Sequence, residues 1–87
     1  MAYKFVFLSD AVKQLHSLDA VVARRILKKL QWIAKLDNPL RHATLLRNSK
    51  IGDARFRIGD HRVVVIVDEK GKRIVIAAVG HRREIYR

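Results

Sequence analysis

Apolar and polar positions change rhythm along this chain, and each change predicts an element. Residues 3–8, Tyr-Lys-Phe-Val-Phe-Leu, are aromatic and branched and stop at Ser9-Asp10, which predicts a first strand. Ser9 reads as the N-cap of a short helix in which Ala11, Leu15 and Leu18 share one face. Asp19 reads as the N-cap of a second, longer helix over residues 20–36, where Val22, Ile26, Leu30 and Ile33 recur at helical spacing. Asp37-Asn38-Pro39 closes that helix, because Pro39 has no amide hydrogen and biases Asn38 away from helical angles. Trp32 is expected to pack at the edge of the core, and His16 and His42 to lie on the surface or in a loop.

Residues 40–53 show no clean period and read as a basic connecting loop. After it the period becomes two. Ala54, Phe56 and Ile58 alternate with Arg55 and Arg57, so one strand face is covered and the other carries guanidinium groups. Gly59-Asp60 reads as a two-residue hairpin turn, with the glycine supplying the positive φ. Val63 to Val67 is a continuous apolar run, as for a central strand covered on both sides. Asp68-Glu69-Lys70-Gly71 turns the chain, and the stretch from Arg73 to Val79 forms a last strand ended by Gly80. The order β-α-α-β-β-β predicts a single α+β domain over residues 1–87. Its expected parts are an antiparallel three-stranded meander, a first strand added to the meander's edge, and a helical hairpin on one face.

Composition narrows the function. Hydrophobic residues make up 49% and charged residues 31%, which is ordinary for a globular domain. The absence of cysteine excludes disulfides and thiolate metal sites and fits a reducing, cytoplasmic setting. No apolar run approaches a membrane span, and the first residues do not read as a signal peptide, so no membrane association is expected. Charge carries the information: Lys plus Arg is 19 against 8 for Asp plus Glu, a net of +11. A field of that size attracts polyanions, nucleic acid first.

The candidate chemistry is expected to gather around one concave side of the small sheet. Arg55 and Arg57 point to the same side of their strand, and Arg62 begins the next one just across the turn. His81 and Arg82 leave the end of the last strand, and the tail adds Arg83 and Tyr86. Guanidinium groups grip phosphate and stay charged, imidazole accepts a proton near neutral pH, and a phenol can stack on a base or donate a proton. RNA backbone cleavage needs those services: alignment of the 2′-hydroxyl, charge to offset the pentacovalent phosphate, and a proton for the leaving 5′-oxygen. No metal or cofactor is expected, and the sequence offers no carboxylate cluster of the kind that holds magnesium. Arg24, Arg25, Lys28 and Lys29 form a dense cationic patch on the second helix. With Lys50, His61 and Arg83 they are the candidate RNA contacts.

The hairpin Arg-apolar-Arg-apolar-Gly-Asp-x-Arg at residues 55–62, followed by Val-Gly-His-Arg-x-x-x-Tyr at 79–86, resembles the RelE branch of the RelE/ParE superfamily of toxins. These belong to type II toxin–antitoxin pairs, and the resemblance covers essentially the whole chain. It implies a fold similar to microbial ribonucleases and a ribosome-dependent endoribonuclease, an mRNA interferase. Such an enzyme cuts mRNA in the A site of the 70S ribosome, leaves a 2′,3′-cyclic phosphate and inhibits translation. By that resemblance Arg55 and Arg57 match the paired basic positions of the catalytic strand, Arg62 and Arg82 hold the scissile phosphate, and Tyr86 is the tail tyrosine. Arg57 stands where some members carry a lysine assigned as general base, and His61 where a tyrosine is common. The base role therefore falls on His81, with Tyr86 as general acid. The resemblance also implies a cognate RelB-like antitoxin. Its acidic or amphipathic segment would wrap this surface, cover the apolar groove beside the sheet and helices, and form a hetero-oligomer that represses its own operon.

Two other readings compete. A ParE-like toxin of the same fold binds DNA gyrase without catalysis, and a plain basic module binds nucleic acid and makes no product. The ordinary alternatives are weighed with them: alternating arginines are often only a solvated strand face, a helical cation run only a solvated helix face, and Tyr86 only a terminal anchor.

Overall fold

Gly59 sets the middle of the fold. In this computed structural model, which describes residues 3–47 and 50–81, Gly59 has φ +61° and turns the chain with Asp60. The flanking strands β3 (Ala54–Ile58) and β4 (His61–Asp68) pair with Ile58 opposite His61. That is the two-residue connection the sequence predicts. A second turn through Asp68–Gly71 leads into β5 (Arg73–His81). There the Gly71 amide donates to Asp68 Oδ1 (3.0 Å) and Arg73 pairs with Asp68 Oδ2 at 2.8 Å. The Gly71 amide first, and Arg73 second, hold the Asp68 carboxyl below its usual range.

Around this meander lie β1 (Lys4–Phe7), α1 (Ser9–His16), α2 (Ala20–Ala34), a 3-10 helix at Pro39–His42 and β2 (Thr44–Leu45). The sheet order is β1-β5-β4-β3-β2, with β1 parallel to β5 and the other neighbours antiparallel. The fold class is the α+β arrangement expected, with differences of detail. The segment read as an aperiodic loop contains the 3-10 helix and the short β2, whose two residues are too few to show a period. The last strand runs through Gly80 to His81. Helix α1 starts on Ser9 itself, with Leu8 as an N-cap that makes no side-chain bond. Asp19 does cap α2, accepting from the Val21 amide at 2.9 Å.

The core forms between the helices and one sheet face. Ala11 and Leu15 from α1 and Ile26, Leu30 and Ile33 from α2 meet Phe56, Val63, Val65, Ile74, Ile76 and Val79. The ring of Phe5 stacks on Phe56 at 6.2 Å between centroids. Each such large side chain contributes about 1.5–3 kcal/mol on burial. Trp32 is not part of this core; it is 48% exposed on the outer side of α2.

A bulge interrupts β5. Val64 pairs with Ala78 but Val65 pairs with Ile76, which leaves Ala77 as an extra residue. Inward positions therefore change parity, from Ile74 and Ile76 to Val79. The Val79 amide donates to Gln14 Oε1 of α1 at 2.7 Å, which pins the strand just past the bulge.

The second sheet face carries no helix among the described residues. Val64 is nevertheless fully buried, because the backbone at Gly52 lies directly over it. A Cβ at Gly52 would stand 2.5 Å from Val64 Cγ1 and 2.9 Å from the Val65 carbonyl oxygen. Gly52→Ala should therefore destabilise the domain by about 1–3 kcal/mol in urea unfolding; an unchanged midpoint would show that this segment does not pack on Val64.

Candidate nucleic-acid interface

Three guanidinium groups share the open sheet face. Arg55 and Arg57 lie two apart on β3, alternating with the buried Ala54, Phe56 and Ile58, so they project away from the helices. Arg62 of β4 is the direct cross-strand partner of Arg57. Directly opposed residues project to one face, so two cationic residues share one cross-strand position, an arrangement that costs stability. Arg62 Nη1 donates to the Gly59 and His61 carbonyl oxygens at 3.4 and 3.2 Å. Those neutral acceptors orient the group without cancelling its charge. The Asp68–Arg73 ion pair lies at the far end of β4.

His81 does not join them. It pairs across the sheet with His61, which pairs with Ile58 on its other side. Ile58 belongs to the helix-side core, so both imidazoles project to the helix side of the sheet rim. Their ring centroids are 5.7 Å apart and the rings nearly perpendicular, at 84°. His61 adjoins Arg62 on β4 and faces away from it by ordinary strand alternation. The expectation that His81 converges with the arginines is corrected by the Ala77 bulge. Each position beyond it lies on the face opposite to the one simple alternation from Ile74 gives. The sequence does not show this shift, because residues 74–79 are all apolar; only burial shows the inward series stepping by two from Ile74 to Ile76 and then by three to Val79.

The remaining candidates divide between two places. Arg24, Arg25, Lys28 and Lys29 are exposed on α2. Since Ile26, Leu30 and Ile33 of the same helix face the core, this patch lies on the opposite side of the molecule from Arg55, Arg57 and Arg62. Lys50 is exposed in the segment before β3. Arg82, Arg83 and Tyr86 lie outside the described residues. No group of three or more metal-ligating side chains occurs among the described residues, and no helix there is long and apolar enough to cross a membrane.

One feature escaped the sequence reading, and the apolar groove expected beside the helices is given its place. Trp32 makes an exposed aromatic cluster with Lys29 and His42. An apolar cleft of about 500 Å³ runs between the two helices, lined by Phe7, Val12, Leu15, Leu18, Ala23 and Leu27, with His16 and Arg24 also lining it.

Known proteins give this geometry a family. Residues 5–86 match the family profile described as the ParE toxin of the type II toxin–antitoxin system parDE. No curated protein sequence matches the chain. Among solved structures, the toxin–antitoxin complex RelBE2 of Mycobacterium tuberculosis contains a chain 30% identical, with a TM-score of 0.72 over 94% of this chain and 100% of that one. The archaeal RelE–RelB complex of Pyrococcus horikoshii contains a chain 28% identical, with a TM-score of 0.75 over 97% and 99%. The intact Escherichia coli RelBE complex, at 21% identity, TM-score 0.72 and coverage of 92% and 96%, is alike in fold alone. The chain belongs to the ParE toxin family and is a type II toxin of the RelE/ParE superfamily.

Proposed function

We propose that this toxin is a ribosome-dependent mRNA endoribonuclease whose scissile phosphate is held on the open sheet face by Arg55, Arg57 and Arg62. The observation that supports it is the direct Arg57–Arg62 opposition. Two like-charged residues are set opposite each other at a cost that an anion bound between them would repay. On that face the 2′-oxygen attacks phosphorus, the bond to the 5′-oxygen breaks, and the products are a 2′,3′-cyclic phosphate and a 5′-hydroxyl. The guanidinium groups offset the growing negative charge of the phosphorane. Solvent and the segment after His81 carry the protons: a water molecule takes the proton of the attacking 2′-hydroxyl, Tyr86 protonates the leaving oxygen and is reprotonated from solvent, and Arg82 adds a further phosphate contact. His81, on the helix side, is not the base in this scheme.

The second reading is a gyrase-directed toxin without catalysis, and the ParE description of the matching family favours it. Parallel assays separate the two. Purified toxin added to a translating extract should degrade mRNA, and the same preparation should leave gyrase supercoiling intact. The reverse pattern would assign the gyrase role.

The partner proposed is a RelB-like antitoxin, in keeping with the complexes in which the RelBE2 and Pyrococcus relatives were solved. The apolar cleft between α1 and α2 suits the apolar side of an amphipathic segment, and Arg24 suits its carboxylates. Leu27 lines the cleft and is 36% exposed. Leu27→Asp should weaken antitoxin binding roughly 10- to 100-fold by calorimetry and leave the melting temperature within a few degrees; unaltered affinity would place the antitoxin elsewhere.

A further inference from the structure

The outer side of α2 carries an aromatic feature that neither the core nor the arginine face uses. Trp32 is the sole tryptophan of the chain. Its indole stands 48% exposed, with Lys29 Nζ 4.4 Å from the ring centroid. His42, from the 3-10 helix, meets it edge-on with centroids 5.5 Å apart. Lys29 and Lys28 lie three and four residues before Trp32, the spacings that bring side chains together on a helix. One turn further back, Val21, Arg24, Arg25 and Lys28 border a shallow hollow of about 350 Å³. Helix α2 has no Asp or Glu anywhere from Ala20 to Ala34.

A purely structural explanation is a clasp, with His42 tying the 3-10 helix to the end of α2. A clasp accounts for the His42 contact but not for an indole left half in water beneath an ammonium group. Nor does it account for a helix of one charge sign. Single-stranded nucleic acid asks for this combination: a ring on which a base stacks, with cations beside it to follow the phosphates. An acidic protein segment would satisfy the cations but has no comparable use for an exposed ring face.

We infer that Trp32, with Lys29 and His42, is a base-stacking platform. The α2 side of this toxin would then bind an unpaired RNA strand, with Arg25 and Lys28 on its phosphates. This site lies on the far side of the molecule from Arg55, Arg57 and Arg62 and does not depend on cleavage. A toxin of either proposed class would carry it.

The test uses the intrinsic fluorescence of the 87-residue toxin chain, in which Trp32 is the sole tryptophan. Titration with a single-stranded oligouridylate at low salt should quench the emission and saturate. A poly-glutamate chain of equal charge should not quench it. The quench should persist when Arg57 and Arg62 are both replaced by alanine, since they lie on the other side. Anisotropy of labelled RNA against that double variant as background should show Trp32→Ala binding roughly 5- to 100-fold more weakly, while Trp32→Phe keeps most of the affinity. Unchanged emission on adding RNA, equal quenching by poly-glutamate, or equal affinity of Trp32→Ala would overturn the inference. The wild-type emission decides the matter even if Trp32→Ala does not fold.

Discussion

Replacing Arg57 and Arg62 together with alanine should lower mRNA cleavage on ribosomes by at least about 100-fold, the order of loss found when a single preorganised donor to transition-state charge is removed. The same double variant should melt no lower than the wild type. The two residues oppose each other across neighbouring strands, so their removal relieves a repulsion that offsets the loss of the two bonds from Arg62 to the Gly59 and His61 carbonyl oxygens. Activity and stability therefore part company at this pair, as they do where a fold keeps a local conflict for function. Arg57→Lys should fall between wild type and alanine, because lysine keeps the charge but not the planar fork that meets two phosphate oxygens. Cleavage that survives the double replacement, or that falls only in step with melting temperature, would remove these residues from the site.

The second large effect concerns the platform beneath them. Phe56 is 1% exposed, stacks on Phe5 and lies between Arg55 and Arg57 on β3. Phe56→Ala should cost about 3–5 kcal/mol. Against a total of about 5–15 kcal/mol for a domain of this kind, that is a large share of the stability. The melting temperature should fall by roughly 15–30 °C at the usual sensitivity of small domains. Ribonuclease activity should disappear at temperatures where the wild type is stable, since both arginines depend on the strand that Phe56 anchors. A fall below about 5 °C would mean that the core is not organised around this ring.

The elements that were legible in the sequence are those whose signals are local. Gly59 marked its turn because few other residues adopt φ +61° at low cost. Asp19 marked the start of α2 through a bond to an amide two residues away. The alternation of Arg55 and Arg57 with Phe56 placed the arginines on the open face, because a short regular strand keeps its parity. Parity failed where one residue was inserted. Ala77 shifted the phase of β5 and carried His81 to the helix side, where it meets His61. Short or long-range features were equally hidden. The two residues of β2 have no period to detect, and the approach of Gly52 to Val64 depends on how the segment before β3 folds back over the sheet. Trp32 looked like a core-edge residue because its spacing from the buried stripe is ambiguous; only the packed structure shows half of it left in water.

The apportioning of charge follows the same logic. An excess of +11 announces a polyanion partner but not how many surfaces meet one. Packing of Ile26, Leu30 and Ile33 toward Phe56 sends the α2 cations to one side of the domain and the sheet arginines to the other. A single basic composition thus becomes two separate cationic surfaces, one suited to gripping a phosphate in place and one to following a strand.

The central claim is that the sheet arginines serve RNA cleavage, and the chemistry of the cut ends tests it most directly. Toxin should be incubated with ribosomes translating a defined message and the ends of the fragments mapped. Codon-phased cuts are expected, each with a 2′,3′-cyclic phosphate upstream and a 5′-hydroxyl downstream, and absent with the Arg57→Ala, Arg62→Ala protein. Intact message under conditions where the same toxin arrests gyrase, or fragments ending in a 3′-hydroxyl and a 5′-phosphate, would contradict it.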